Sequence, residues 1–456
     1  MTTNDVKTYH ISSIVLDDTL YEQVYNPDNK EVAYVFSDND EGTFSITNKI
    51  ETDGAVYRPI LNSDVTEKAI LLPVEPLNYT SKSSLMDTIK GHIHSYVDLQ
   101  PIYEDICSWY IMMTWVFDKM PSVPYLRFLG DFQTGKSRAS KVVAGLCYHP
   151  FQFVMPSNAG LYHTIKTWKP TLRIDECEFN YSDKKADIVK ILNAGYEQGN
   201  MIPRCSGEHY ETVQYYDVFG PKIIANKSQF KDPSLENRCI TILMKQTTRD
   251  DIPRNLTDDF YKEQMEIRNK LLTFRLQEYS HVDISKAQGI DLKGIDIRLQ
   301  QITEGMISLF IDEPQTIEKM KKVLWEHHNL MVEERAEGFD GKMVSTLLQL
   351  HEEGLMHITS SDIAIRMENK YQEYDTIRAS SIGKKLRKLG IQTTSPRKID
   401  GQSKRYIIWD DKLINQLKKR YVKLDTTCTT DTTGFGGGGN ANLDTFIPNI
   451  NQNKDN

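Results

Sequence analysis

Two glycines, a lysine and a serine are spaced as G-x-x-x-x-G-K-S in residues 130–137, a spacing that suits the binding of a phosphate chain. Gly130 and Gly135 permit backbone angles that other residues resist, so successive amide N–H groups can point at one phosphate. Lys136 can reach the terminal phosphates, and the Ser137 hydroxyl can ligate Mg²⁺. The motif predicts nucleoside triphosphate binding; the alternative is a glycine turn beside a surface lysine. The residues expected around the phosphates are Gly130, Asp131, Phe132, Gln133, Thr134, Gly135, Lys136, Ser137 and Arg138.

An acidic pair follows a second apolar run. Asp175 and Glu176 come directly after residues 171–174, which are predicted to form a strand. Carboxylates at the end of such a strand suit a triphosphate site, since Asp175 can bind the Mg²⁺ shell and Glu176 can orient the attacking water. An acidic pair after a strand is common, and the phosphate motif upstream is what makes this one a candidate site.

Three further polar residues are candidates for the same chemistry. Asn226 ends the apolar run 221–225 and is expected at the edge of the sheet where a nucleotide would lie. Arg238 precedes the apolar run 239–244. It is either a surface charge at a helix end or a finger that reaches a neighbouring subunit's γ-phosphate. Arg298 opens an amphipathic helix, where the alternative is a solvated helix charge.

The elements around these residues alternate between strand and helix patterns, which predicts an α/β fold with a parallel sheet and helices on both faces. A strand at 126–129 enters the phosphate motif and a helix at 138–146 leaves it. A helical stretch, 84–120, precedes them, and its dense aromatic and methionine section is expected to be core packing rather than a ligand site. Two β-like arms at 201–205 and 210–216 predict a hairpin.

Composition divides the chain into five expected parts. Residues 1–82 favour a small β-rich domain, with short strands at 11–16, 32–36, 43–46 and 69–74. The other parts are an ATPase-like core with a helical lead-in (83–250), a helical lid or linker (251–340), a winged helix (341–423) and a disordered tail rich in Thr, Gly and Asn (424–456).

The winged-helix prediction rests on three helix patterns followed by two strand patterns, at 391–396 and 403–409. Residues 376–423 carry fourteen Lys or Arg against three Asp, in a chain whose net charge is −8. Such charge suits the phosphates of a nucleic acid rather than base edges, with protein contact as the alternative. The candidate DNA-binding residues are Lys384, Lys385, Arg387, Lys388, Arg397, Lys398, Lys404 and Arg405.

The sequence favours neither a membrane protein nor a thiolate metal site. It has no run of about 18 apolar residues, its N-terminus is polar, and its six cysteines lie too far apart for a C-x-x-C unit. A cytoplasmic protein in a reducing compartment, with no membrane partner, is therefore expected.

The order of motifs resembles that of the AAA+ replication ATPases of phages, plasmids and mobile elements, which are similar to the minichromosome maintenance helicases. The resemblance covers residues 84–409. GDFQTGKS matches Walker A, LRIDE matches Walker B, IIAN ending at Asn226 resembles sensor 1, and ENRC resembles the segment of the arginine finger, Arg238. Arg298 resembles the sensor 2 arginine that acts in trans. The hairpin occupies the place of a DNA-gripping hairpin, and because its tip lacks the expected lysine, Arg204 and His209 are the nearby candidates.

This resemblance implies an ATP- and Mg²⁺-dependent ring of identical chains, a hexamer, that moves along single-stranded DNA and opens forked duplexes. A primase or loader would be a separate chain. Two other functions stay open: an ATP-regulated initiator or switch that binds DNA without unwinding it, and an ATPase that remodels another protein. A winged helix serves the helicase and the initiator equally, so the sequence does not separate them.

Overall fold

A computed structural model describes residues 7–38, 43–151, 158–175, 183–206, 212–230, 232–371, 374, 376–399 and 402–422. Glu176, His209 and the predicted tail lie outside these residues. The chain forms two compact units, Met1–Leu330 and Met331–Asn456. The finer division into five parts stays a prediction. Within the described ranges, no helix combines the length and the apolar character needed to cross a membrane.

The N-terminal region consists of short strands separated by Asn, Asp and Gly turns. They are β1 (Lys7–His10), β2 (Ser13–Leu16), β3 (Thr19–Asn26), β4 (Glu31–Asp38), β5 (Thr43–Thr47), β6 (Ile50–Thr52) and β7 (Ala55–Arg58), followed by helix α1 (Ser63–Thr66). Strands β2 to β5 form an antiparallel sheet in chain order, and β7 lies between β1 and β6. The prediction of a strand at 69–74 is wrong. Within this range only Ile70 forms a bridge, an isolated one, and Pro73 has no N–H to donate to a strand ladder.

Two helices, α2 (Lys82–Tyr96) and α3 (Pro101–Thr114), occupy the predicted helical stretch. The break between them follows from Pro101, which starts α3 and holds the preceding residue in an extended conformation. The side chains of Trp109 and Met112 are at most 1% exposed. The aromatic and methionine section is therefore core packing, as expected.

A five-stranded parallel sheet forms the centre of the first unit, as the strand and helix alternation predicts. The strands and helices of this region are β8 (Tyr125–Leu129), α4 (Lys136–Ala144), β9 (Pro150–Phe151), α5 (Asn158–Trp168), β10 (Thr171–Asp175), α6 (Asp183–Ala194), the hairpin strands β11 (Met201–Ser206) and β12 (Thr212–Asp217), then β13 (Lys222–Asn226), α7 (Pro233–Glu236) and β14 (Cys239–Leu243). The order across the sheet is β14-β8-β13-β10-β9, with every described pair parallel.

Helices cover both faces of this sheet, as neighbouring residues of β13 show. Ile223 belongs to the hydrophobic cluster that contains Val142 of α4. Ile224 belongs to a second cluster, with Leu161 of α5 and Ile191 of α6. Because successive side chains of a strand point to opposite faces, the two clusters lie on opposite sides of the sheet.

A buried ion group fixes the N-terminal strands to the helices of the first unit. The helices after the sheet are α8 (Asp258–Glu278), α9 (Ile297–Ser308) and α10 (Pro314–Glu337). Arg275 of α8 donates to Glu22 of β3 at 2.6 Å and to Asp118 at 2.8 Å. Burial raises the pKa of the Glu22 carboxyl, while the Arg275 charge opposes that rise.

The second unit contains helices α11 (Phe339–Glu352), α12 (Ser360–Lys370) and α13 (Ala379–Lys388), the ribbon β15 (Arg397–Ile399) and β16 (Gln402–Lys404), and helix α14 (Asp411–Tyr421). Ile363, Ile382 and Leu386 are fully buried in its core. The ribbon is displaced from the expected strands at 391–396 and 403–409, which meet only at an isolated bridge between Thr393 and Ile407. Pro396 lacks the N–H that a continuous ladder needs.

Candidate nucleotide site

The ends of three adjacent strands bring the phosphate motif and the candidate polar residues together. Strand β13 lies between β8 and β10. Its last residue, Asn226, pairs with Leu129, which precedes the motif. On its other side Ala225 pairs with Asp175, the last residue of β10. Since parallel strands end at the same edge, the motif, Asn226 and Asp175 share the carboxyl edge of the sheet.

The motif needs its glycines for two different reasons. A side-chain carbon on Gly130 would lie 2.6 Å from the carbonyl oxygen of Met244, so the backbone just after β14 excludes any larger residue. Gly135 has a φ of +81° and precedes the first residue of α4, a conformation that glycine adopts without strain. The loop therefore turns directly into a helix N-terminus, where amide N–H groups can bind an anion.

Two side chains, those of Thr134 and Lys136, donate hydrogen bonds to the backbone of the loop. The carbonyl of Asp131 accepts hydrogen bonds from the Thr134 hydroxyl, at 2.8 Å, and from the Lys136 ammonium. Lys136 is only partly buried. An incoming phosphate can therefore take the ammonium from this carbonyl at the cost of one partly exposed hydrogen bond.

Ser137 and Asp175 are placed as a pair of oxygen ligands. The Ser137 hydroxyl donates to Oδ1 of Asp175 at 3.1 Å. Among the described residues no group of three or more His, Cys, Asp or Glu could hold a metal. One hydroxyl and one carboxylate fit Mg²⁺, which keeps several waters and takes its remaining oxygens from substrate phosphates. The predicted role of Glu176 stays a prediction.

Asn226 has an unsatisfied acceptor at the same edge. Its side chain is 4% exposed, and its Oδ1 has no hydrogen-bond partner among the described residues. Its backbone carbonyl is engaged, accepting from the Gly130 N–H at 3.3 Å. Because buried polar atoms are nearly always paired, this oxygen is suited to accept from water or a ligand beside the loop.

A cavity of about 210 Å³ adjoins the loop on the side of Arg138. Its walls include Gln133 and Gly135 of the loop, residues 96–98, and residues 252–254. The Arg138 guanidinium joins these walls by donating to the carbonyls of Tyr96, Pro253 and Arg254 at 2.8, 2.5 and 3.0 Å. Arg138 therefore forms part of the cavity wall, and its predicted contact with phosphates stays a prediction.

Arg238 lies at the opposite edge of the sheet. Its carbonyl accepts from the N–H of Tyr125, the first residue of β8, at 2.9 Å. Five residues of β8 separate that position from the phosphate loop, a distance of roughly 16 Å in an extended strand. The guanidinium donates to Asn193 at 2.7 Å, so it is held at the amino edge, away from its own loop.

Arg298 is held at the same place by the ring of Tyr196. The guanidinium of Arg238 lies 4.0 Å from the ring centre, and that of Arg298 lies 5.5 Å from it. Arg298 also donates to Gln301 at 3.1 Å. The structure thus brings the two predicted arginines together, on the edge opposite the phosphate loop.

The hairpin turns Arg204 toward the body of the unit. Its guanidinium lies 4.4 Å from the ring centre of Tyr162, and it is 3.8 Å from a carboxylate oxygen of Asp187. The other face of the hairpin presents Tyr215, which is 63% exposed. His209 lies outside the described residues, and DNA binding by Arg204 stays a prediction.

The basic residues of the second unit differ in their surroundings. Lys384, Arg387, Lys388 and Arg405 are exposed, and Lys404 is partly exposed. Lys385 forms an ion pair with Asp340 and lies 4.7 Å from the ring centre of Phe339, so its charge is partly neutralised. The side chains of Arg397 and Lys398 lie outside the described part of the chain.

No protein-family model and no curated protein matches the sequence. Among solved structures, the SCCmec type IV Cch active helicase is 11% identical over 89% of this chain and 98% of that chain, with a TM-score of 0.38. The apo C-terminal region of NrS-1 is 12% identical over 86% and 96%, with a TM-score of 0.34. The JCV helicase is 12% identical over 54% and 66%, with a TM-score of 0.25.

Sequence reasoning missed the cavity and Tyr196. The cavity walls come from separate segments of the chain, and neither 96–98 nor 252–254 contains a recognisable motif. Tyr196 follows helix α6 without a distinctive pattern. Both features arise from tertiary contacts, so only the folded chain reveals them.

Proposed function

We propose that the chain is an ATP-dependent DNA helicase of a phage, plasmid or mobile element, a ring-forming AAA+ motor of six copies that translocates along single-stranded DNA. The observation that carries the proposal is the separation of two sets of groups. The phosphate loop, Asp175 and Asn226 lie at the carboxyl edge of the sheet, whereas Arg238 lies at the amino edge with Arg298 beside it.

This separation supports a head-to-tail assembly. A surface that binds the phosphates and a different surface that carries arginines are the two halves of a heterologous interface, which closes into a ring when the rotation allows it. Each nucleotide would then lie between two copies. Arg238 and Arg298 of one copy would stabilise the charge that develops on the γ-phosphate bound by the next copy.

Within one copy, the loop amides and Lys136 would bind the phosphates, with Lys136 released from the Asp131 carbonyl. Ser137 and Asp175 would hold Mg²⁺, which neutralises charge on the phosphate oxygens. Glu176 would orient and polarise the attacking water. The unpartnered Oδ1 of Asn226 would accept a hydrogen bond from that water and fix its position beside the γ-phosphate. The cavity next to Arg138 would receive the nucleoside.

DNA binding is assigned to the second unit, as a winged helix, and to the hairpin. Lys384, Arg387 and Lys388 are exposed on one short helix, α13, and would neutralise backbone phosphates. On the hairpin, the exposed ring of Tyr215 is better placed than Arg204 to contact a base, because Arg204 packs against Tyr162.

A strand-displacement assay on forked DNA with ATP and Mg²⁺ tests the proposal. We expect unwinding by the unaltered protein, none with a non-hydrolysable analogue, and none by Lys136→Ala. Glu176→Gln should bind nucleotide but not hydrolyse it. ATP hydrolysis that is stimulated by DNA, without unwinding of any forked substrate, would exclude helicase activity.

The second candidate is an ATP-regulated initiator or switch that binds DNA without unwinding it. The exposed basic residues of α13 favour it equally, because DNA binding by that helix does not require hydrolysis. Retardation of one particular DNA sequence, equal for the unaltered protein and for Glu176→Gln, would support this candidate.

A further inference from the structure

Arg173 closes a ring of hydrogen bonds around the candidate metal ligands. Its Nη2 donates to Oδ2 of Asp175 at 2.8 Å, and its Nε donates to the Ser140 hydroxyl at 3.1 Å. Ser140 in turn donates to the Ser137 carbonyl at 3.0 Å. The Ser137 hydroxyl completes the ring by donating to Oδ1 of Asp175 at 3.1 Å.

The local structure explains why these four residues meet. Arg173 and Asp175 are two residues apart on β10, so their side chains lie on the same face of the sheet. Ser137 and Ser140 are three residues apart on α4, so they lie on one side of that helix. The helix packs on the strand, and the ring of hydrogen bonds connects the two elements.

A charged residue at this position is unusual. Strands of parallel sheets with both faces covered are mostly apolar, and the neighbours Leu172 and Ile174 follow that rule. The side chain of Arg173 is only 17% exposed. Its charge therefore lies in a poorly solvated place beside the one carboxylate expected to hold a cation, where it is weakly screened.

We infer that Arg173 is a positioning residue for Asp175 that makes cation binding depend on the nucleotide. The guanidinium holds Oδ2 and leaves Oδ1 directed at Ser137, toward the metal position. Its positive charge opposes a divalent cation when no nucleotide is bound, and the phosphates of a bound nucleotide supply the negative charge that overcomes this opposition. The inference rests on the proposed nucleotide site.

Mn²⁺ binding followed by electron paramagnetic resonance, without and with ADP, tests the inference on the full chain. Asp175→Asn supplies the baseline, because it lacks the carboxylate. Arg173→Gln removes the charge but keeps hydrogen-bond donors, and Arg173→Lys keeps the charge. Lys227→Gln is the matched control. Lys227 is also a cation near the phosphate loop, but it contacts Asp131 and Phe132 rather than Asp175.

For Arg173→Gln we expect Mn²⁺ without ADP to bind about tenfold more tightly than in the unaltered protein. The factor by which ADP strengthens Mn²⁺ binding should fall correspondingly. Arg173→Lys should change binding without ADP by less than about threefold, and Lys227→Gln should leave it unchanged. Ser140→Ala, which frees the guanidinium Nε but keeps the charge, should likewise change binding without ADP by less than about threefold.

Equal Mn²⁺ affinity in Arg173→Gln and the unaltered protein would overturn the inference, as would an equal shift in Lys227→Gln. Circular dichroism checks folding. If Arg173→Gln does not fold, Arg173→Met, which also removes the charge, takes its place, and an unshifted Mn²⁺ affinity in that variant overturns the inference. Failure of the underlying nucleotide site gives a different result. In that case the unaltered protein itself would show no ADP-dependent Mn²⁺ signal above the Asp175→Asn baseline.

Discussion

Arg238 and Tyr125 are joined through their backbones, with the Arg238 carbonyl 2.9 Å from the Tyr125 nitrogen. This hydrogen bond fixes the arginine beside the first residue of β8, while the phosphate loop follows the last residue of the same strand. The roughly 16 Å between the two ends exceeds the reach of a side chain that is already bonded to Asn193. In the proposed assembly, a nucleotide that meets Arg238 would therefore be one held by another copy of the chain.

Tyr196 should position both arginines. Replacing it with Leu removes the aromatic face while keeping apolar volume, and cation–π contacts contribute about 0.5–2 kcal/mol each. We expect Tyr196→Leu to lower the kcat of ATP hydrolysis by about three- to tenfold, with little change in nucleotide affinity. Tyr196→Phe keeps the ring and should hydrolyse ATP at nearly the normal rate. Equal rates for the two variants would contradict this role.

Lys136 should be required for nucleotide binding. Lys136→Ala removes the ammonium group that donates to the Asp131 carbonyl. We expect the affinity for a fluorescent ATP analogue to fall by at least about a hundredfold, which corresponds to the loss of one strong charge-assisted hydrogen bond. Lys141→Ala is the matched control, because Lys141 is on the same helix and contacts Tyr261 instead. If Lys136→Ala and Lys141→Ala bind alike, the loop is not the phosphate site.

Three exposed cations of α13 should set the salt dependence of DNA binding. Neutralising Lys384, Arg387 and Lys388 to Gln should reduce the slope of log K against log salt by about two to three, since each phosphate contact contributes about 0.7–0.9. Lys385→Gln should reduce the slope by less than a single phosphate contact would, about 0.7–0.9, because Lys385 is paired with Asp340. Fluorescence anisotropy at several salt concentrations measures the slopes, and an unchanged slope in the triple variant would contradict DNA binding by this helix.

The buried ion group should stabilise the first unit. Arg275→Met leaves Glu22 and Asp118 without their common partner, so we expect a loss of about 3–5 kcal/mol in the free energy of unfolding. Arg249→Gln breaks a more exposed ion pair with Asp251 and should leave the unfolding midpoint nearly unchanged, because exposed ion pairs contribute little to stability. Urea unfolding followed by circular dichroism compares them, and similar midpoints for both variants would contradict the assignment.

The sequence predicted those parts of the fold that depend on local pattern. The parallel sheet follows from the alternation of apolar strands and amphipathic helices. The loop follows from its two glycines: the structure shows that Gly130 lies too close to Met244 for a side chain and that Gly135 has a positive φ. The position of Asp175 beside Ser137 follows from the parallel order of the strands, once they are correctly identified.

Features decided by side-chain direction or by distant segments were not predictable. The sequence did not show that Arg204 would face Tyr162 while Tyr215 faces outward, because a hairpin's faces are assigned only by what it packs against. In the sequence, Arg173 is only one residue of a predicted strand. Its hydrogen bonds to Ser140 and Asp175 in the structure make it part of the site. Helix α14 was missed, despite its buried residues Ile414, Leu417 and Tyr421 at helical spacing.

A site shared between copies is tested most directly by mixing two inactive variants. Arg238→Ala keeps a working phosphate loop, and Lys136→Ala keeps a working arginine. Steady-state ATP hydrolysis should be near zero for either alone. At equal amounts it should reach about a quarter of the unaltered rate, since one interface in four of a randomly mixed ring combines the intact halves. Activity no greater than the sum of the separate variants, in rings shown to contain both, would contradict the account.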